Sequence, residues 1–571
     1  MTLKKHLKNC LIGLFVTIIT PLLANDSDLI KYDYIIVGNG TAGAVLARKL
    51  SQDKKKKVLV LEAGINHDDD PKVLQTSGPD LFNTFTELAY NTKYANIWAV
   101  PVFNPLQTAS YSNGRGWGGS SMHNFLQSVR GTPSVYDDWA TAAGDSKWSY
   151  NSLLPKMKAL EAYTPNADNV FNVFQRGASG PLKLTQTFPI TSDALALSLS
   201  ASLNAGFITD VNDYTAVSTL GATNVGFSPF ECYASPGASL GETGNRSFSA
   251  NAFLPRSVIS ADGKAKDGRL LVIKSNALVS RVIFSGKVAT GVEFTLGNNP
   301  DKVLKALGRK IILCASSVDS PAILQRSGIG DAALLRSLGI KVIVDNPNVG
   351  AHLVNHYGPN AIISGADTTA FPFLQAFLNA SGTPALGAMG STYYYDDDST
   401  RRLQFTAFPI GPGVTSVLAF IMNPQSEGSV KITSRNATVP PQIDLGMYTD
   451  GDYTTNGTDA NLAVTFYKLL DQSPATLIFP PAGSTDAAFF QAATSSGGYT
   501  AASHIGGTTR MGTSIADSVV DSNLHVFGVK NLMVVDLGVV PRLSDGNTAF
   551  EAFLLGLMAA EILGVPTPPA I

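Results

Sequence analysis

Cysteine is almost missing from this chain: three in 571 residues, too few for the disulfide framework of many small exported proteins. Charge is scarce too. Asp, Glu, Lys and Arg make up 15% of the residues, and 42 basic against 44 acidic residues leave a net charge of −2. That balance offers no basic footprint for nucleic acid or an anionic membrane, so neither is an expected partner. The seven histidines show no metal-ligand spacing, and no metal site is expected. No Gly-x-Ser-x-Gly elbow comes with a suitable partner set, and internal repeats and low-complexity tracts are absent. The apolar run at 11–23 is short for a bilayer span and is interrupted by Thr17, Thr20 and Pro21. Lys4, Lys5 and Lys8 precede it, Ala24 offers a small residue for cleavage, and Asn25-Asp26-Ser27 starts a polar stretch. This is the layout of a secretory signal over 1–24. It predicts a secreted or periplasmic protein with no stable membrane span after cleavage. Cys10 would leave with the signal; Cys314 ends a run that reads as a buried strand, so a disulfide to Cys232 is not expected.

What is present points to a large, well-buried globular protein. Hydrophobic residues reach 44%, with 52 glycines and 31 prolines for tight turns and shaped loops, and the length allows two or three domains. Residues 32–37 form a short apolar run typical of a central parallel strand. The loop Gly38-Asn39-Gly40-Thr41-Ala42-Gly43 follows, then helical spacing over 42–50, a lysine-rich turn at 54–57 and a second strand over 58–61, ending at Glu62. This is a complete βαβ unit. Gly38 permits the tight turn, Gly40 lets backbone approach a pyrophosphate, and Gly43 lets helix and strand pack closely. Thr41 and Ala42 open the helix whose N–H groups face the phosphates. A carboxylate at Glu62 accepts from ribose hydroxyls. Alone, the loop allows NAD or FAD.

Further strands are predicted over 270–273, 279–284, 310–315 and 531–535, with helices beginning at Ser320 and spanning 548–563. The middle of the chain, 352–490, is rich in aromatics, prolines and alternating runs such as 402–408 and 417–422. It reads as a mixed, largely antiparallel domain inserted between cofactor-binding segments. The aromatic stretches 371–377, 385–389 and 393–395 line either an apolar access route or ordinary core.

Three later clusters carry chemistry. One is Gly114-Arg115-Gly116-Trp117-Gly118-Gly119-Ser120-Ser121-Met122-His123-Asn124, a glycine-rich loop suited to a planar polar cofactor. The next is Ser320-Pro321 followed by Ser327-Gly328-Ile329-Gly330. The last is His504-Ile505-Gly506-Gly507-Thr508-Thr509-Arg510-Met511-Gly512, followed by Val534-Val535-Asp536 and Gly546-Asn547-Thr548. Taken in order with Asn348-Val349-Gly350…Asn355-His356 and 423–430, they resemble the glucose–methanol–choline (GMC) oxidoreductase family from about Tyr32 to Leu563.

The resemblance implies an α/β fold: an FAD-binding Rossmann-like domain with an inserted α+β substrate-binding domain containing a mostly antiparallel sheet. By that likeness 32–160, 240–350 and 495–565 form the FAD-binding domain, and 161–239 and 351–494 the substrate-binding cap. It implies oxidation of a small-molecule alcohol to a carbonyl by hydride transfer to flavin, with O2 or another acceptor receiving the electrons. His504 and Asn547 match the family's catalytic pair. A neutral imidazole near pKa 6.5 suits removal of the hydroxyl proton, and an amide orients the substrate oxygen; Asn547 equally suits capping of the helix that follows. Asp536 and Thr548 match the segment approaching the flavin and phosphates, Val279 the backbone beside adenine, Trp98 more loosely its edge, and Ser120 and Asn124 the flavin side. His123 stands where choline-oxidase-like members carry a covalent link to flavin; covalent attachment and non-covalent packing are both open. Trp117 replaces a small aliphatic residue and is expected to crowd the flavin pocket. Other activities on this scaffold are a non-redox lyase, a light-driven fatty-acid decarboxylase, or a secreted flavin-binding protein without turnover.

Overall fold

The computed structural model describes residues 31–76, 84, 87, 91–100, 104–166, 172–186, 206–207, 210–212, 225–239, 243–297, 299, 301–364, 390–395, 400–411, 413–473 and 475–567. The signal-like segment 1–24 and the stretches 371–377 and 385–389 lie outside the described residues, as does the side chain of Trp98.

Strands buried on both faces read as continuous apolar runs, as Val58–Leu61 does, and it lies in a row of four. Leu271–Lys274, Val58–Leu61, Lys31–Val37 and Val303–Leu313 are parallel neighbours in that order. The far edge of Val303–Leu313 is shared. Its first half pairs antiparallel with Val288–Leu296, which pairs with Ala277–Ser285, and its second half pairs parallel with Leu532–Val534. The sequence reading starts this central strand seven residues late, because Lys305 and Arg309 break the apolar pattern on its partly exposed first half. Helix Ala549–Ile562 is buried nearly all round, as a helix between two packed layers must be. It packs against Thr41–Leu50, so the last and first helices of the chain share one layer.

The second sheet is mostly antiparallel, as expected. Thr476–Phe479, Tyr357–Ser364, Val414–Ile421, Arg401–Gly411, Gly390–Tyr395, Val225–Pro229 and Gly206–Phe207 lie in that order, with Tyr499–Ala501 also paired to Tyr357–Ser364. Strand side chains alternate between faces. Leu403, Phe405, Val417, Ala419 and Ile421 turn to a core shared with helix Asp459–Asp471; Gln404, Thr406, Leu418 and Phe420 point the other way. A hairpin, Asn91–Val100 and Asn104–Gly114, adds to the small sheet of Ser429–Lys431 and Gln442–Asp444.

Beneath the sheets lies a buried ionic cluster. Arg176 contacts Glu161 at 3.1 Å, Asp210 at 3.1 Å and Glu231 at 2.7 Å, and Arg130 also pairs with Glu161. Asn212 donates to Glu231 at 2.6 Å.

Helix Ser316–Arg326 starts four residues earlier than the sequence reading places it, leaving Pro321 inside. An interior proline lacks the N–H that would reach the carbonyl four residues back. Here that carbonyl belongs to Ser317, and the Thr508 hydroxyl donates to it at 2.6 Å.

At the head of the sheet three backbone segments touch with nothing between them. Gly38 has φ +99°, and a Cβ there would stand 2.3 Å from the Cys314 carbonyl oxygen; one on Gly43 would stand 2.1 Å from the Gly38 carbonyl oxygen. Gly43→Ala must therefore push the helix off the strand. Overpacking of this kind costs about 3 kcal/mol, and both the melting temperature and the flavin-to-protein ratio of the purified variant are expected to fall.

Candidate active site

The carboxyl ends of the parallel strands open onto a cavity of about 510 Å³. This is where ligands sit in open α/β sheets. Gly38, Gly40, Thr41 and Ala42 line it, with Glu62, Ser120, His123, Asn124, Val279, His504, Asp536, Asn547 and Thr548. Gly43, the remaining glycine of the loop, stands off the wall, occupied with the Gly38 carbonyl behind it.

The first helix presents its N-terminus here with no acidic residue in its first turn, which leaves its field free for a phosphate. Glu62 accepts from the backbone N–H of Asn39 at 2.7 Å and of Gly64 at 2.8 Å. Burial raises its pKa against those hydrogen bonds and the nearby Arg115. A carboxylate has about four acceptor positions, and with the Gly116 backbone also acting on Glu62, room remains for a ribose hydroxyl. Asp536 is fixed by Ser320 Oγ at 2.5 Å and Gly538 N at 2.9 Å, and burial pushes it up to about 6.

The Gly118–Asn124 loop is clamped from outside. Ser120 Oγ donates to Asn113 Oδ1 at 2.9 Å and receives Gly114 N–H at 3.0 Å. Buried Arg246 donates to Asn124 Oδ1 at 2.7 Å, to Asn124 O at 2.9 Å and to Val73 O at 2.9 Å. Sequence reasoning missed Arg246, whose contacts lie more than a hundred residues away. Burial, reinforced by the Arg246 charge, lowers His123 to about 3, so its imidazole is neutral. Trp117 departs from expectation: it is off the cavity wall, fully buried, and donates its indole N–H to Ser275 Oγ at 3.0 Å. The loop turns the bulky ring into the core rather than toward the flavin pocket.

The His504 loop is pinned on two sides. His504 N–H donates to Asn355 Oδ1 at 2.9 Å, while Gly507, Thr509 and Met511 donate to Leu537, Gly538 and Val539 carbonyls at 3.1, 2.8 and 2.8 Å. That ladder ties His504 to the Asp536 segment. His504 Nδ1 lies 2.9 Å from His356 Nδ1, the rings at right angles. Burial, then the neighbouring His356, holds His504 well below the usual imidazole range; burial lowers His356 to about 4. His356 reads in sequence as part of a turn, and with 148 residues between the two no local spacing signals the pairing. Asn547 Oδ1 is buried and has no hydrogen-bond partner among the described residues. The capping alternative is not what forms: Thr548 is the N-cap of the last helix, and no side chain caps it.

Family comparison decides what this cavity is. A family model described as GMC oxidoreductase matches residues 32–358, and its C-terminal counterpart matches 424–556. The chain belongs to the GMC oxidoreductase family. An oxygen-dependent choline dehydrogenase of Paraburkholderia xenovorans is 29% identical over 93% of this chain and 94% of its own length. The GMC oxidoreductase family protein Mala s 12 of Malassezia sympodialis is 28% identical over 94% and 93%. Among solved structures, pyridoxine 4-oxidase from Mesorbium loti superposes with a TM-score of 0.74 at 23% identity, covering 93% of this chain and 99% of that one. A fungal aryl-alcohol oxidase reaches 0.75 at 22%, covering 93% and 98%. These last two show the shared fold. As a GMC oxidoreductase the protein is an FAD-dependent enzyme acting on CH–OH groups. The cavity fits that cofactor: an acid-free helix N-terminus and Glu62 at one end, and the unpaired Asn547 acceptor and neutral imidazoles at the other.

Proposed function

We propose that this GMC oxidoreductase oxidises an alcohol to a carbonyl with His504 as the base and Asn547 orienting the substrate oxygen. The observation carrying the reading is that both residues stand on one cavity wall, with His504 Nδ1 engaged by His356. Two Nδ1 atoms at this distance require one proton between them. Donation from His504 leaves its Nε2 as a bare lone pair for the alcohol proton. His356 then carries its own proton on Nε2. The relatives named choline dehydrogenase support a CH–OH donor. Bound FAD supplies the hydride acceptor. The Asn547 amide donates from Nδ2 to the substrate oxygen and so turns its O–H toward the base, and the amide does not compete for the proton.

We also propose that FAD is joined covalently through His123, a neutral imidazole on the same wall. The fuller reading includes export directed by 1–24 and a cap built from 161–239 and 351–494.

Anaerobic addition of an alcohol is expected to bleach the flavin of the purified protein, an outcome foreign to a lyase, a photodecarboxylase or a binding protein. His504→Ala should retain flavin and its reduction by dithionite, yet slow reduction by alcohol about 10³-fold; near-normal reduction would remove His504 from the base role. Because the neutral form is the active one and burial lowers its pKa, kcat/KM should hold steady as pH falls through 6.5 and decline only well below it. Protein precipitated with acid is expected to stay yellow, whereas colour released wholly to the supernatant would leave His123 a packing residue.

A further inference from the structure

The wall of the cavity away from the nucleotide loops is built by the antiparallel sheet and the end of the glycine-rich loop. Leu418 and Phe420 on one strand, with Phe125 and Phe230, make it apolar. Within this surface stand two amides, Gln127 and Gln404. Gln404 is 2% exposed, and its Nε2 donates to Ser391 Oγ at 3.0 Å, Tyr393 OH at 3.3 Å and Gln127 Oε1 at 3.3 Å. Those bonds leave Gln404 Oε1 and Gln127 Nε2 with no hydrogen bond among the described residues. One is an acceptor and the other a donor. Exchanging O and N on both side chains gives the same result, one donor and one acceptor, so the outcome does not depend on how the amides are turned.

Charge is placed differently. Among the described residues, the carboxylates on the cavity wall are Glu62, Asp319 and Asp536. All three belong to the elements of the parallel sheet and its connections, and two of them are held by backbone N–H groups and Ser320. Among the described residues, the wall formed by the second sheet offers no ion partner.

We propose that the substrate is a neutral alcohol with an apolar body and a second polar group, a hydroxyl or carboxamide, seated on the Gln127–Gln404 pair. This rests on the alcohol-oxidation reading of the same cavity. A group that both donates and accepts satisfies the two amides together. A quaternary ammonium has no N–H and no lone pair; it would bury both amide atoms unsatisfied, at a cost on each. Phenylalanine faces attract a cation, but they supply neither missing hydrogen bond. Gln127 and Gln404 are thus specificity residues, drawn from separate elements and meeting only across the cavity.

The test is anaerobic flavin reduction in the holoenzyme with three probes: 4-(hydroxymethyl)benzamide, benzyl alcohol and choline. The carboxamide alcohol is expected to reach half-maximal reduction rate at a concentration about 10-fold below that of benzyl alcohol, the scale of one net hydrogen bond, and choline to bleach the flavin least. In Gln404→Leu, and independently in Gln127→Leu, the ratio between the two aromatic alcohols should collapse toward one. Choline as effective as the carboxamide alcohol, or an unchanged ratio in both variants, would overturn the proposal and leave alcohol oxidation standing. If no alcohol bleaches a flavin that dithionite reduces, the alcohol reading itself fails and this proposal with it.

Discussion

Everything in this structure hangs on a place where main chain meets main chain. The Cys314 carbonyl abuts Gly38, and the Gly38 carbonyl abuts Gly43, with no room for a side chain at either contact. The strand that begins the fold, the helix that follows it and the central strand nearly three hundred residues later are locked at one point. The closeness brings the N–H groups of the helix to the edge of the cavity, and it sets Glu62 where its two oxygens meet the Asn39 and Gly64 amides. Moving any one of these segments would move the phosphate end of the site.

The other end is positioned by a substitution of partners. Pro321 deprives Ser317 of its helical donor, and Thr508 supplies one. A cost inside one helix thereby becomes a tether for the His504 loop. The ladder from Gly507, Thr509 and Met511 to the 537–539 carbonyls completes the fixation. Motifs far apart in the chain are therefore mechanically one piece.

How much of this was legible in the sequence follows from the range of each interaction. The βαβ unit, the glycine loop and Glu62 are local, and strand periodicity with glycine spacing shows them. The first half of the central strand was hidden because it is partly exposed and carries Lys305 and Arg309. The helix start before Pro321 was hidden because the missing donor is supplied from outside the helix. Trp117 was misread because spacing places a residue in a loop but not the direction of its ring. His356 and the Gln127–Gln404 pair were out of reach for a further reason: each exists only as a contact between segments far apart in the chain, and neither partner has a pattern of its own.

The buried ions have a bearing on modularity. Arg130, Glu161, Arg176, Asp210 and Glu231 come from stretches scattered over about a hundred residues, and two guanidiniums hold three carboxyl groups in one cluster, with burial pushing Glu231 well above the usual carboxylate range. No cut through that region leaves a self-sufficient piece, since either fragment would carry uncompensated charge in its interior. The stretch from Arg130 to Glu231 therefore cannot be exchanged between relatives as a cassette in the way a surface loop can. New substrate preferences are open to change through single residues on the cavity wall, where the ion cluster is not disturbed.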